Sequence, residues 1–396
     1  MTDDASAPED ELADGKADGP GCAAARDGGD HYEFLDDVCH KKRTPSNRDR
    51  NLTCPVASST ATPTLFDGRT VRYLPATAVS EIDDEALLGI VPQSLDVTVI
   101  LVRRVNGVPH YRYLSNGSHD HAFQPWSSTK FMAIANAAAT LRARSNNRVG
   151  LTASVGGIPL GDLATVIHSY DERRYSSNGL ARYFHDIGGR ARANDLVHDW
   201  IPRPTNESFG GNYGAPAPAL GYRFVDAGGQ SVEIDPDTSV GPSNHLSTFT
   251  LAEFLKRLVM HREDASTRLP GLQWADAATL FYGATDSVWS SAPGGMSADT
   301  AIYLQAGLPI HAIEQRSRGT WRVFSKLGFG DGDFVHVSYA CLPSLDGNGT
   351  PIADVGKEVF IAVRLATGGA SMAERDALLA RHYRSILARV LDGRLK

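Results

Sequence analysis

The stretch Phe123-Gln-Pro-Trp-Ser-Ser-Thr-Lys-Phe-Met132, running on through Ala133-Ile-Ala-Asn-Ala-Ala-Ala139, decides how this chain is read. Ser127 and Lys130 stand three residues apart. In a helix that starts here they share a face, with Ser127 in the first turn. Unpaired backbone N–H groups and the positive end of the helix dipole gather at that point. A serine hydroxyl beside a lysine amine in such surroundings is one way to make an activated nucleophile. The residues that follow are apolar nearly all round, as expected of a helix buried at the centre of a domain. A lone Ser-x-x-Lys is common by chance, so its weight depends on what surrounds it.

Working outward, residues 95–102 are β-branched and long enough for a strand, Asn106-Gly107 is a hairpin signal, and residues 110–114 return. Downstream, residues 160–168, 180–184, 193–200 and 251–262 predict helices, the last entered through Ser247-Thr248. The Gly/Pro-rich stretch 202–229 reads as a long loop or insertion. The last hundred or so residues change character. Strands are predicted over 320–325, 334–341 and 359–365, and Val335, Val337, Tyr339 and Cys341 alternate onto one face. A closing helix opens at the capping box Ser371-Met-Ala-Glu374, with Leu379, Tyr383, Ile386 and Val390 as its stripe. The expected fold is α+β: a five-stranded antiparallel sheet flanked by helices, with an all-helical subdomain inserted between the second and third strands. The sheet subdomain takes about residues 65–126 plus 316–396, and the helical one about 127–315.

The chain has 396 residues, 42% hydrophobic and 21% charged, enough for a large core. Its net charge of −7 is concentrated: the first 21 residues hold seven acids and one lysine, leaving −1 for the rest. A nearly neutral body argues against a nucleic-acid surface. No apolar run approaches the roughly 18 residues of a membrane span. Residues 1–30 read as a disordered acidic tether, suited to the spacer of an exported, lipid-tethered protein, and 31–64 as a loop-rich extension carrying cysteines. Cys22, Cys39, Cys54 and Cys341 fit no zinc spacing. Disulfides in an oxidising compartment and unpaired thiols both remain open, as does the pairing.

Three motifs line up in order: Ser127-Ser-Thr-Lys130, then Ser176-Ser-Asn178 in the loop before a helix, then Lys326-Leu-Gly328 at the end of a strand. Together they resemble the Ser-x-x-Lys, Ser-x-Asn and Lys-(Thr/Ser)-Gly triplet of serine β-lactamases and penicillin-binding proteins. Phe123 and Pro125 are similar to the class A approach to the nucleophile. Residues 178–189, ending Ile187-Gly-Gly189, resemble the class A helix after Ser-x-Asn, and 247–255 the helix start that closes its omega loop. The resemblance covers about residues 65–396. It implies Ser127 as the nucleophile of an acyl-enzyme, and a lysine freed of its proton by burial and neighbouring cations, Lys130, as its base. It further implies Ser176 as proton relay, Asn178 orienting Lys130 and the substrate amide, and Lys326 keeping the site electropositive. The N–H groups of Ser127 and Phe329 would form the oxyanion hole, beside Gly328.

Two departures stand out. The class A Glu-x-x-Leu-Asn setting of the deacylating base is missing; counting back from Ser247-Thr248 lands on Glu233, with Glu207 as competitor in the insertion. Leu327 replaces the hydroxyl residue that helps bind a substrate carboxylate, and leucine donates no hydrogen bond. Elsewhere the plainer reading prevails. His119-Asp-His121 lacks a third ligand for a metal. His245 and His336 read as structural, Trp126 as packing, Ser128 as a capping bystander, and Tyr175 as less well placed than Ser176.

The expected function is a serine hydrolase cutting an amide or β-lactam bond, with no metal or cofactor, outside the cytoplasm. Its partner would be a small-molecule or peptide substrate resembling a β-lactam or a D-Ala peptide. The alternatives are a D-Ala-D-Ala carboxypeptidase, a glutaminase-like amidase, and a non-catalytic sensor or binding module on the same fold.

Overall fold

The structure, a computed structural model, describes residues 50, 53–78, 81–169, 175–202, 206–284, 295–298, 310–330, 332–366, 368 and 372–396. The acidic tether, most of the cysteine-bearing extension with Cys22 and Cys39, and Ser371 of the predicted capping box lie outside the described residues.

The first long strands are β3 (Leu95–Val105) and β4 (Val108–Ser115), after two-residue strands β1 (Leu74–Pro75) and β2 (Ile82–Asp83). Asn106 and Gly107 join β3 to β4 with φ of +52° and +81°, the left-handed pair that a tight two-residue hairpin requires. After the helical region come β9 (Arg322–Gly330), β10 (Asp333–Leu342) and β11 (Lys357–Ala366). The order across the sheet is β1-β4-β3-β11-β10-β9, with β2 on β4 in parallel. The five long strands are antiparallel as expected; the two short strands raise the total to seven. They escape periodicity because two residues contain no period.

Between β4 and β9 lies the helical region. Its described helices are α1 (Lys130–Arg144), α2 (Leu160–Ser169), α3 (Ser177–Gly188), α4 (Arg190–Asp195), α5 (Thr248–Val259), α6 (Trp274–Tyr282) and α7 (Ile310–Ser317). It is not purely helical. The short strands β5 (Ser154–Val155), β6 (Ile158–Pro159), β7 (Arg223–Val225) and β8 (Ser231–Glu233) form a second small sheet. The closing helix α8 (Met372–Leu391) covers the opposite face of the main sheet. None of the described helices is long and apolar enough to cross a membrane.

Two cores result. Val335, Val337 and Tyr339 point into the helical side around α1, while Phe334, Val359, Ile361 and Val363 pack against Leu379, Tyr383 and Ile386 of α8. Both faces of the central strands are therefore buried, so their sequences carry apolar residues on both. Helix α1 is buried all round, with Phe131 to Ala139 almost wholly out of solvent.

Cys54 is bonded to Cys341 across a sequence separation of 287 residues, fastening the chain's early segment to the C-terminal end of β10. Both are buried. Cys54→Ala is expected to lower unfolding free energy by about 2–5 kcal/mol, read as a reduced urea midpoint with no change in fold.

A buried ionic cluster lies close by. Arg104 reaches Glu263 and, at 2.8 Å, Glu358, whose other oxygen accepts from the Tyr339 hydroxyl at 2.6 Å. Burial, then the Glu358 charge, push Glu263 up to about 7, against the pull of Arg104. A carboxyl group with a raised folded pKa binds its proton more tightly when folded. Its stabilisation is complete below the ordinary value of 4.5 and is lost as pH rises through about 7. Wild-type protein should therefore lose on the order of 2–3 kcal/mol from this group between pH 4.5 and 8. Glu263→Gln should flatten that part of the curve in urea titrations at pH 5 and pH 8.

Candidate active site

The nucleophile segment begins as one 3-10 turn, Trp126–Thr129, which passes directly into α1 at Lys130. Ser128 closes the turn by donating its buried hydroxyl to the Pro125 carbonyl at 2.6 Å, as a structural bystander. Trp126 holds a φ of +50°, a conformation that costs an L-residue roughly 1–3 kcal/mol. Its indole lies against Gly330, where a Cβ would come 2.5 Å from the ring. Trp126 is thus a packing residue, and Ser127 follows it on the turn that lies against the edge of the sheet. Ser127 itself is partly exposed.

That edge is β9, the last strand in the order among the described residues. Its residues alternate: Lys326, Gly328 and Gly330 face the nucleophile turn, and Leu327 and Phe329 pack toward the α8 core. Gly328 makes the closest approach. A Cβ there would stand 2.4 Å from the Pro125 carbonyl oxygen, 2.7 Å from Ser128 N and 3.1 Å from Ser127 N. Only glycine lets the strand lie this near the turn. Leu327 stands opposite His336, whose Nδ1 lies 2.6 Å from the Tyr383 hydroxyl; His336 is a structural histidine.

The third wall is the start of α3. Lys130 is 1% exposed, and its Nζ donates to Ser177 Oγ at 2.9 Å and to Asn178 Oδ1. Asn178 thus lies in contact with Lys130. Ser176 does not occupy the place assigned to it: its hydroxyl caps α3, accepting from Gly179 N at 3.1 Å, and Lys130 is engaged by its neighbour Ser177. The motif spacing identifies the loop, but the helix boundary decides which serine turns inward. Tyr175 packs against the core. Lys326 is fully buried, with Nζ donating to the Leu327 carbonyl at 3.0 Å. His168 on α2 is also fully buried, and neither ring nitrogen has a hydrogen-bond partner. Burial, then the positive charges of Lys326 and Lys130, hold its pKa well below the usual imidazole value. Nothing in the sequence singled it out.

The insertion is laced onto this floor. Phe123 and Leu246 exchange backbone hydrogen bonds at 3.0 and 2.9 Å. Asn244 Nδ2 reaches Thr129 Oγ1 at 3.3 Å and Asn244 Oδ1 accepts from Gly211 N at 2.8 Å, while the Tyr213 hydroxyl lies 3.3 Å from Thr129 Oγ1. Ser208 pairs with the exposed His245. Within this strap Glu207 is buried; Oε1 accepts from Ser247 N at 3.0 Å and Oε2 has no hydrogen-bond partner. Glu233, by contrast, ends β8 on an exposed hairpin, opposite Arg223. Counting back from Ser247 lands on the β7–β8 hairpin, whereas Glu207 lies in the segment that contacts Ser247 itself. His119 and His121 pair with Asp84 and Asp96 at 2.9 and 3.2 Å. Among the described residues no three His, Cys, Asp or Glu side chains gather as a metal site would require.

No family model matches the chain, and no curated protein is similar to it in sequence. Solved structures are. A class A β-lactamase reconstructed as the last common ancestor of Gram-negative bacteria is 18% identical, covers 77% of this chain and 98% of its own, and has a TM-score of 0.43. A Ser-to-Gly variant of the extended-spectrum β-lactamase TLA-1 is 11% identical over 78% of this chain and 98% of its own, with a TM-score of 0.40. PenP from Rhodopseudomonas palustris, itself assigned provisionally to class A, gives 15%, 74%, 93% and 0.42 in the same terms. The antiparallel sheet with a helical region inserted between its second and third long strands is a β-lactamase-like fold.

Proposed function

We propose that this protein is a serine hydrolase that cuts an amide or β-lactam bond through an acyl-enzyme on Ser127. The observation that carries the reading is the seating of the Lys130 amine between Ser177 and Asn178, under a turn pressed against Gly328. Lys130 as the free amine takes the Ser127 proton, and Ser127 Oγ attacks the carbonyl carbon. The N–H groups of Ser127 and Phe329 receive the developing oxyanion, and Lys326 adds positive potential. A serine of the 176–177 pair returns a proton to the leaving nitrogen. Asn178 holds both Lys130 and the substrate amide.

For deacylation the base is Glu207 rather than Glu233. A buried carboxylate with one oxygen anchored by Ser247 and the other unpartnered is suited to accept a proton from attacking water. An exposed hairpin glutamate has no such setting. Leu327 turns its side chain toward the α8 core and supplies no hydrogen-bond donor where the resemblance implies one, which favours acyl donors bound by more than a carboxylate. The Cys54–Cys341 bond supports an extracytoplasmic location.

The test is intact mass over time with a fluorescent penicillin and a fluorophosphonate, using Ser127→Ala as control. Adducts on Ser127 support the reading, transient for a β-lactamase and long-lived for a peptidase or sensor. With Glu207→Gln the acyl-enzyme should accumulate, and with Glu233→Gln it should not. Failure of both reagents to modify Ser127 would overturn the nucleophile.

A further inference from the structure

We propose that His185 is the catch of the strap: as a neutral imidazole it holds residues 206–213 against the floor of the site, and its protonation lets them lift. Its ring is wholly buried between α3 and the strap. Phe209 meets it edge-on with ring centroids 4.9 Å apart, and the Tyr213 ring stands at 6.4 Å. Gly211, at φ +73°, crosses so close that a Cβ there would come 2.1 Å from the imidazole Cδ2. Neither ring nitrogen has a hydrogen-bond partner among the described residues. A charge on this ring would have neither a partner nor water, so the closed strap admits only the neutral form.

The charges around the ring are already matched. Arg182 and Arg190 both pair with Asp186, and Arg190 also reaches Asp237. Burial, then the positive charges of Arg190 and Arg182, bring His185 down to about 3, against the pull of Asp237. Burial pushes the Tyr213 phenol far above its usual range, so the strap brings no charge through it. Two more histidines lie along the strap. His198 donates its Nε2–H to the Glu207 carbonyl at 2.8 Å, a bond that survives protonation, and His245 is exposed. With the strap lifted, His185 meets water and returns to its ordinary 6.5. The open form then binds a proton that the closed form refuses. Closure is at full strength above pH 6.5 and weakens as pH falls toward 3. The opening constant should therefore rise about 25-fold between pH 7 and pH 5. Lifting would also part Glu207 Oε1 from Ser247 N. That consequence bears on the deacylation reading above, whereas the opening itself does not depend on it.

The test is amide hydrogen exchange of the full chain at pH 7 and pH 5, corrected for intrinsic rates. The N–H groups of Ser208, Phe209 and Gly211 donate to His245 O, Asn194 Oδ1 and Asn244 Oδ1, so they exchange when the strap lifts. The α1 amides from Phe131 to Ala139 report global unfolding and should stay at least about 10²-fold better protected at both pH values. Strap protection in the wild type should fall about 25-fold on acidification. In His185→Leu, which cannot take up the proton, it should change by less than about threefold. His185→Gln, equally unable to take a proton near neutrality, replaces that variant if it does not fold. Strap protection that is insensitive to pH in the wild type would overturn the proposal. So would strap and α1 amides that exchange with equal protection, or a fall on acidification kept in full by the His185 variant.

Discussion

Lys130→Met is expected to slow acylation of Ser127 by about 10²–10⁴-fold, the range that a positioned general base contributes. The effect should be kinetic. Lys130 lies in a helix whose neighbours Phe131, Met132 and Ala133 are buried in the first core, and methionine fills much of the lysine stem's volume. What is lost is the amine that links two motifs: it follows Ser127 by three residues and donates to Ser177 and Asn178. Two hydrogen-bond acceptors lose their donor, so some stability is lost as well, at about 1 kcal/mol per bond. The measurement is the rate of Ser127 modification by fluorophosphonate, beside a thermal melt of the same sample. A rate within threefold of wild type, in a folded variant, would remove Lys130 from the mechanism.

Gly328→Ala should be nearly as damaging for a different reason. The added methyl would meet the Pro125 carbonyl oxygen at 2.4 Å and Ser128 N at 2.7 Å, both backbone atoms of the turn that presents Ser127. Neither can rotate away as a side chain could, so strand and turn must separate. Overpacking of this kind costs typically 1–3 kcal/mol. A displacement of order 1 Å between oxyanion donors and nucleophile is enough to cost about 10²-fold in rate. Activity and stability assays on one preparation should show the rate falling far more than the melting temperature. Parallel loss of both would mean that Gly328 serves the fold alone.

Much of this architecture was legible in the residues. The hairpin at Asn106-Gly107, the buried helix after Ser127, the three C-terminal strands and the helix carrying Tyr383 all follow from period and turn chemistry, and all are present. The strand read as ending near Ser325 continues to Gly330, because Gly328 and Gly330 look like strand breakers in sequence but are there to admit the nucleophile turn and Trp126. Stretch 202–229 reads as a long loop or insertion; its residues Phe209, Gly211 and Tyr213 are tied down through Asn194, Asn244 and Thr129, contacts remote in sequence.

The sequence by itself determined the chemistry available: one serine–lysine pair, an asparagine after two serines, and a lysine before Leu-Gly, in an order that demands convergence. Side-chain type and local period are enough for that, because each motif sits at an element boundary with its own signal. Tertiary structure alone decided which serine meets Lys130, which glutamate is buried, that His168 lies near the charges of both lysines, and that Cys54 pairs with Cys341. Those choices turn on helix phase and on contacts between segments far apart in sequence. A one-residue change of phase rotates a side chain by about 100°. A spacing rule cannot resolve Ser176 from Ser177 across that angle, whereas the packed start of α3 can.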